Sequence, residues 1–227
     1  MFKSSLRIAV LPLATVAAIA IPRVAAAQTC LGLADQRLVS QSVSGTAGAS
    51  GELRRLVGQY TVTGEHVFGG LSGAYIATEQ RTAPGAAVGA ELGYTRALPG
   101  GFSVCPRAQL HWHSARGGMA DFSTASLGLA LGRVIPIVGA FSIVPSLQGG
   151  IANRSGGPIG TFNVTATTKL PPNNRTFGEL GVGLGLRFGD LLTVRPSYTR
   201  PFGLGAGVNG GYDETYSLSI SVGRPRR

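Results

Sequence analysis

The chain has 227 residues, of which 35 are glycine and only 13% are charged, and its formal net charge at pH 7 is +10. This much glycine disfavours a helical protein, and the low charge with ample valine and threonine disfavours a disordered one. The cations are scattered rather than clustered, which argues against nucleic acid as a partner. The composition suits β-strands in which small and large residues alternate.

The first 27 residues have the features of a secretory signal peptide. Lys3 and Arg7 give a basic start, an apolar stretch covers 8–21, and Ala25 and Ala27 form a small-residue cleavage site. The segment holds three cations and no acid, so its removal lowers the net charge from +10 to +7. Beyond it, no apolar run approaches the roughly 20 residues of a membrane helix.

The mature chain alternates with a period of two residues. The segment GELGVGLGLRF at 178–188 has large apolar residues on one face, and glycine with Glu179 and Arg187 on the other. The segments SLGLALG at 126–132 and YSLSISV at 216–222 repeat this pattern. A nearly charge-free apolar face suits lipid, and small polar residues suit the inside of a narrow barrel.

The breaks in this pattern, together with alternating tight turns and longer loops, indicate an even number of strands. We predict an all-β fold: a closed antiparallel up-and-down transmembrane β-barrel of ten strands, with eight as the alternative. The barrel domain covers 38–223, after a periplasmic segment at 28–37 and before a basic tail at 224–227. The ten predicted strands are 38–47, 53–63, 66–77, 86–97, 102–113, 122–134, 140–151, 176–187, 191–200 and 213–222.

Three predicted strands carry a proline at the fifth position of similar segments, FSVCPRAQL, FSIVPSLQG and LTVRPSYTR. Pro106, Pro145 and Pro196 each follow a tight turn and fall on the outward, apolar face. Proline cannot donate to a sheet ladder, so we expect each to lie near a rim, where a bulge or water replaces the missing bond. Duplication of an ancestral hairpin explains the repeat without any functional role.

Several charged and polar residues face the lumen by the same parity. Charges inside a narrow barrel are costly unless they are paired, so we predict a Glu–Arg network that fills the lumen rather than leaving a pore. Its members are Glu91, Arg107, Glu179, Arg187 and Arg195, with Gln109, His111 and His113 as polar lumen residues.

The mature chain has two cysteines, Cys30 and Cys105. In an exported protein the simplest expectation is that they form a disulfide, with two free thiols as the alternative. Such a bond would hold the segment before the first strand at the periplasmic mouth of the barrel.

No catalytic motif is present. The sequence lacks G-x-S-x-G and H-E-x-x-H, and the Gly-rich GVGLGL alternates like a strand and opens no helix. His111 and His113 share a strand face, but no third ligand cluster accompanies them. We therefore predict no catalytic residues, no metal and no cofactor.

The signal peptide, the alternating strands, the tight turns and the cysteine pair resemble small bacterial outer-membrane β-barrel proteins of the OmpA-barrel and OmpX-like type, over about 36–223. The resemblance implies a non-enzymatic integral protein of the bacterial cell outer membrane, with a role in envelope integrity, adhesion or surface defence. It implies outer-membrane lipids and the barrel-assembly machinery as partners, an extracellular ligand on the loops, and a monomer. Such barrels usually end on an aromatic residue, whereas this chain ends SLSISVGRPRR.

Three other functions stay open at this point. A lipid-modifying barrel enzyme would use rim residues such as His113. A small diffusion channel would need an open lumen, and a secreted soluble β-barrel would bind an apolar ligand.

Overall fold

The computed structural model describes residues 39–50, 53–78, 85–115, 122–155, 175–203 and 214–225. Ten long strands account for nearly all of them. They are β1 Val39–Ser50, β2 Leu53–Thr63, β3 Val67–Thr78, β4 Gly85–Tyr94, β5 Phe102–Ala115, β6 Phe122–Arg133, β7 Phe141–Ser155, β8 Arg175–Phe188, β9 Leu192–Phe202 and β10 Thr215–Pro225.

The ten strands form one closed ring. Each strand pairs antiparallel with the next one along the chain, and β1 pairs antiparallel with β10, with Val43 opposite Val222. The prediction of a ten-stranded up-and-down barrel is thus confirmed. Closure gives every strand a neighbour on both sides and leaves no sheet edge. Among the described residues, no helix is long and apolar enough to cross a membrane.

The tight turns lie together at one end, which we call the short-turn rim. They join β2 to β3, β4 to β5, β6 to β7 and β8 to β9, and the start of β1 pairs with the end of β10 at the same end. Gly139 and Gly189 occupy equivalent turns with φ of 53° and 62°, backbone angles that residues other than glycine rarely adopt. The opposite end, where the remaining connections fall outside the described residues, is the long-loop rim.

The two faces of the sheet differ as the sequence predicts. Large apolar side chains point away from the lumen and are exposed, for example Leu127 at 70% and Val88 at 63%. Side chains at the alternate positions are enclosed, for example Ser103 at 0% and Arg195 at 7%. The barrel is therefore apolar outside, while its interior is mainly polar with a few buried apolar side chains such as Phe68 and Val144.

The three repeated prolines are exposed, and each lies opposite a gap in the pairing with the preceding strand. Beside Pro106, the pairing of β5 stops after Gly93 and resumes at a short strand, Arg96–Ala97. Beside Pro145, the pairing of β7 stops after Gly132 and resumes at the short strand Ile135–Val138.

The third proline completes this pattern. Beside Pro196, the pairing of β9 with β8 is interrupted between Gly183 and Leu186. The other side of each proline pairs with the following strand without interruption, for example Pro196 with Leu218. The missing N–H group of each proline thus coincides with a break in one ladder, near the short-turn rim.

Close backbone packing inside the barrel depends on glycine. On β7, Gly150 faces the lumen beside Gly128 of β6, and a Cβ atom added to Gly150 would lie 2.7 Å from the carbonyl oxygen of Leu127. On the outer surface, a Cβ atom added to Gly58 would have no heavy atom within 4 Å. An alanine substitution at each position therefore distinguishes the cost of disturbed packing from a change in backbone propensity.

We predict that Gly150→Ala lowers the free energy of unfolding by about 1–3 kcal/mol, because backbone atoms of the neighbouring strand must move to admit the methyl group. Gly58→Ala is the matched control, and we expect no loss of stability from it. The measurement is urea unfolding of the refolded protein in detergent micelles. Equal effects of the two substitutions would contradict the packing described for Gly150.

Candidate functional site

The most densely polar region of the molecule is the lumen, and Glu91 of β4 lies at its centre. Gln59 of β2 donates a short hydrogen bond to Oε1 of Glu91, and Gln109 of β5 donates to Oε2 at 3.1 Å. Ser126 of β6 donates to the amide oxygen of Gln109 at 3.4 Å. One carboxylate thus connects side chains from four strands.

A second chain of hydrogen bonds continues around the lumen from β5 to β9. Arg107 donates to the amide oxygen of Gln148 at 3.2 Å, and Nε2 of Gln148 donates to Oγ1 of Thr199 at 3.2 Å. These bonds cross the inward glycines of β6 and β8. A Cβ atom at Gly181 of β8 would lie 2.5 Å from Nε2 of Gln148, so glycine there is required for this arrangement.

The space that remains beside Arg107 is small. A cavity of about 20 Å³ lies between Arg107, Gln148 and Glu179, which is room for about one water molecule. Closer to the short-turn rim, Arg195 donates to Oγ of Ser146 at 3.3 Å. Side chains therefore fill this part of the lumen.

The five residues expected to form the charge network have different surroundings. Glu91, Arg107, Glu179 and Arg195 face the lumen, and the charges of both glutamates act on Arg107. Glu91, Arg107 and Arg195 form hydrogen bonds with amide and hydroxyl groups rather than with opposite charges. Arg187 instead binds the turn after β8, through Oδ1 of Asp190 at 2.5 Å and the carbonyl of Gly189 at 2.9 Å.

The predicted polar residues of β5 lie higher in the lumen, toward the long-loop rim. The ring centroids of His111 and His113 are 6.2 Å apart. The charge of Arg55, on β2, acts on both imidazoles, and the charge of Arg154, on β7, acts on His113. Sequence analysis missed both arginines, although the alternation of β2 and β7 places them on inward faces.

A chamber opens beside this group. It has a volume of about 230 Å³, and we call it the outer chamber. Its lining includes Arg55, Gln59, Ser72, Glu91, Gln109 and His111.

Cys105 of β5 lies inside the short-turn end of the barrel. It is 1% exposed, packs with Phe68 and Ala130, and has its sulfur 3.6 Å from Oγ1 of Thr95. The part of the chain that the structure describes contains no free cysteine. Cys30 lies outside the described residues, as do the signal peptide and the segment 28–37, so the disulfide stays a prediction.

No group of three or more His, Cys, Asp or Glu side chains within the described ranges could hold a metal ion. The lumen residues can fill space, exchange hydrogen bonds and hold charge, which is the chemistry of a plug or of a binding chamber.

No family model and no curated protein matches the chain. Solved structures of similar fold include the β domain of the Bordetella autotransporter Brka, at 13% identity over 80% of this chain and 96% of that one, with a TM-score of 0.45. LpxR from Salmonella typhimurium has 11% identity over 76% and 73%, with a TM-score of 0.43. The Acinetobacter baumannii outer membrane protein Omp33 has 9% identity over 83% and 100%, with a TM-score of 0.34. The similarity to these bacterial outer-membrane β-barrels is one of fold.

Proposed function

We propose that this protein is a non-enzymatic integral protein of the bacterial outer membrane, of the OmpA-barrel and OmpX-like type, with a filled lumen. Its role would be structural in the envelope or would depend on contacts made at the long-loop rim. Outer-membrane lipids and the barrel-assembly machinery would be its partners, and it would act as a monomer.

One observation carries the proposal, namely the exposed apolar belt around the outside of the ring. Most strands contribute to it, with side chains such as Val43, Leu71, Leu110 and Ile151 between 60% and 66% exposed. Soluble monomers rarely expose a continuous apolar surface of this kind, because it costs free energy in water. In hydrocarbon the same surface carries no such cost, and a closed barrel leaves no backbone edge there.

The contents of the lumen argue against two of the alternative functions, the soluble ligand-binding barrel and the diffusion channel. A soluble barrel that binds an apolar ligand would need an apolar interior, whereas in this interior Arg107 is hydrogen-bonded to Gln148 and Glu91 to Gln109. A diffusion channel would need a continuous aqueous path, whereas the cavity beside Arg107 admits about one water molecule. Both observations favour a filled membrane barrel.

The first test is fractionation of the native cell, followed by gel electrophoresis with and without heating. We expect the protein in the outer-membrane fraction, released only by detergent, with a mobility that changes on boiling because the closed barrel resists the detergent until heated. Release of the protein into the aqueous fraction without detergent would contradict its assignment to the membrane.

A substitution on the belt distinguishes lipid from water as the surrounding medium. Leu127 points outward from the middle of β6, and we predict that Leu127→Lys costs about 2–4 kcal/mol of folding free energy in lipid vesicles. Ile137→Lys, at the short-turn rim, is the matched control and should cost about 0–1 kcal/mol. A barrel whose exterior faces water would tolerate both changes equally.

Conductance in planar bilayers tests the filled lumen. We expect no stable single-channel steps from the unmodified protein, and we expect steps from the double variant Arg107→Ser with Gln148→Ser, which shortens the side chains that cross the lumen. Arg133→Ser with Asn153→Ser is the control, because both of these side chains are exposed. Steps of similar size from all three proteins would show that the lumen is open.

A further inference from the structure

Two exposed arginines flank one aromatic side chain on the outer face of the barrel, at the short-turn rim. Arg133 is the last residue of β6 and lies opposite Phe102, the first residue of β5. Arg96 lies on the other side of β5, in the short strand that pairs with it, opposite Val104. Both arginines are exposed, and the alternation of the strands places them on the outer face.

The aromatic ring holds one of the two guanidinium groups in place. The guanidinium carbon of Arg133 lies over the ring of Phe102, 5.0 Å from its centroid. Such a cation–π contact uses the flat face of the guanidinium and leaves the N–H donors at its edge available. The contact also directs Arg133 across β5, toward the side on which Arg96 lies.

The two arginines are close enough to act on one group. They are separated by two strand spacings and by a stagger of two residues, which places their Cα atoms about 12 Å apart. Because both side chains are long, their guanidinium groups can reach a common ligand over Phe102.

The described carboxylates of this rim lie beside other cations. Asp190 binds Arg187, and a carboxylate oxygen of Glu65 lies 3.9 Å from Nε2 of His66. Within the described ranges, no carboxylate forms an ion pair with Arg96 or Arg133. The N–H donors of these two arginines therefore face outward, toward the surroundings of the barrel.

The pair lies at the level where the apolar belt ends. Toward the middle of the barrel, the next outward residue is Leu131 along β6 and Val104 along β5. Tyr94, which precedes Arg96 on the same face, is exposed, and tyrosine is enriched where a membrane protein meets the lipid headgroups. A lipid whose phosphate met the arginines would thus have its acyl chains against the belt.

We propose that Arg96 and Arg133 bind the phosphate of one anionic phospholipid. A guanidinium can donate two parallel N–H bonds to phosphate oxygens, and the positive charge of the pair favours an anionic headgroup over a zwitterionic one. The short turns of outer-membrane barrels are periplasmic, so the lipid belongs to the periplasmic leaflet. This inference rests on the proposed function, because it requires the belt to face lipid.

The test places a fluorescent reporter between the two arginines. Phe102→Trp keeps an aromatic face for Arg133, and Trp112→Phe removes the one natural tryptophan. The double variant is reconstituted in vesicles of phosphatidylglycerol and phosphatidylcholine, one of which carries brominated acyl chains that quench tryptophan. We expect phosphatidylglycerol to occupy the site about tenfold or more tightly than phosphatidylcholine. Equal quenching by the two brominated lipids would overturn the proposal.

Arginines of the same rim provide matched variants in this reporter background. We expect Arg96→Gln and Arg133→Gln each to lower the preference for phosphatidylglycerol about fivefold. Arg224 is exposed at the same rim on β10, on the opposite side of the ring, and Arg224→Gln should leave the preference unchanged. Equal losses in all three variants would mean that the preference is a general effect of rim charge.

The natural tryptophan separates failure of the site from failure of the proposed function. Trp112 is exposed at the other end of β5, and in the unmodified protein both brominated lipids should quench it equally. Quenching of Trp112 without any preference at position 102 would overturn the site and leave the membrane barrel intact. Absence of quenching at both positions would overturn the site and the proposed function together.

A further measurement uses the unmodified protein and so does not depend on the folding of a variant. In native mass spectrometry from micelles that contain equal amounts of the two phospholipids, we expect adducts with one phosphatidylglycerol to exceed those with one phosphatidylcholine. Equal adducts would contradict the site. In the vesicle assay, replacing sodium chloride by sodium phosphate at the same ionic strength should preserve the preference, and its loss would show that free phosphate is the ligand instead of a lipid.

Discussion

Space for long polar side chains is the constraint on which the interior of this barrel depends. In a ring of ten strands, inward side chains from neighbouring strands compete for the same narrow volume. The chain makes room by placing glycine beside each long side chain: Gly181 lies beneath Gln148, and Gly89 lies beneath His111. With a side chain at position 181, Gln148 could not keep the position from which it links Arg107 to Thr199 by hydrogen bonds.

The interior network also shows how the charges are accommodated. Glu91 is surrounded by amide donors and Arg107 by an amide acceptor, so neutral groups satisfy the first contacts and the opposite charges act over longer distances. An arrangement of this kind avoids the strict geometry that a buried ion pair requires. It also spreads the polarity around the whole ring, from β2 to β9.

The alternation of the sequence was sufficient to predict much of this structure. The two-residue alternation correctly predicted that Glu91 and Arg107 face inward and that Leu127 faces outward. The spacing of the breaks predicted the ten strands. Both predictions depend only on residues that are near one another in the sequence. The ends of the strands were predicted less accurately. For β7, 140–151 was predicted and Phe141–Ser155 is observed, and for β1, 38–47 was predicted and Val39–Ser50 is observed. The serine and glycine residues of β1 alternate poorly in size, so nothing local marks its end.

Partners across the lumen could not be predicted in the same way. The contact between Gln59 and Glu91 joins β2 to β4 across the intervening β3, so it depends on the stagger of three strands and on side-chain conformations. The same holds for Arg55 and His111, which come from β2 and β5. Sequence parity can place each residue inside, but it cannot say which residues lie at the same height.

The three repeated prolines favour one alignment of neighbouring strands over the others. In a ribbon such as GVGLGL, sliding a hairpin by two residues keeps every large side chain outside and every small one inside, so hydrophobicity alone barely distinguishes the native alignment from its neighbours. Pro106, Pro145 and Pro196 break this degeneracy, because any such slide would move an imide nitrogen from a gap to a position where the adjoining strand needs a donor. Proline, which usually disfavours a sheet, thus helps to fix the register of each repeated hairpin.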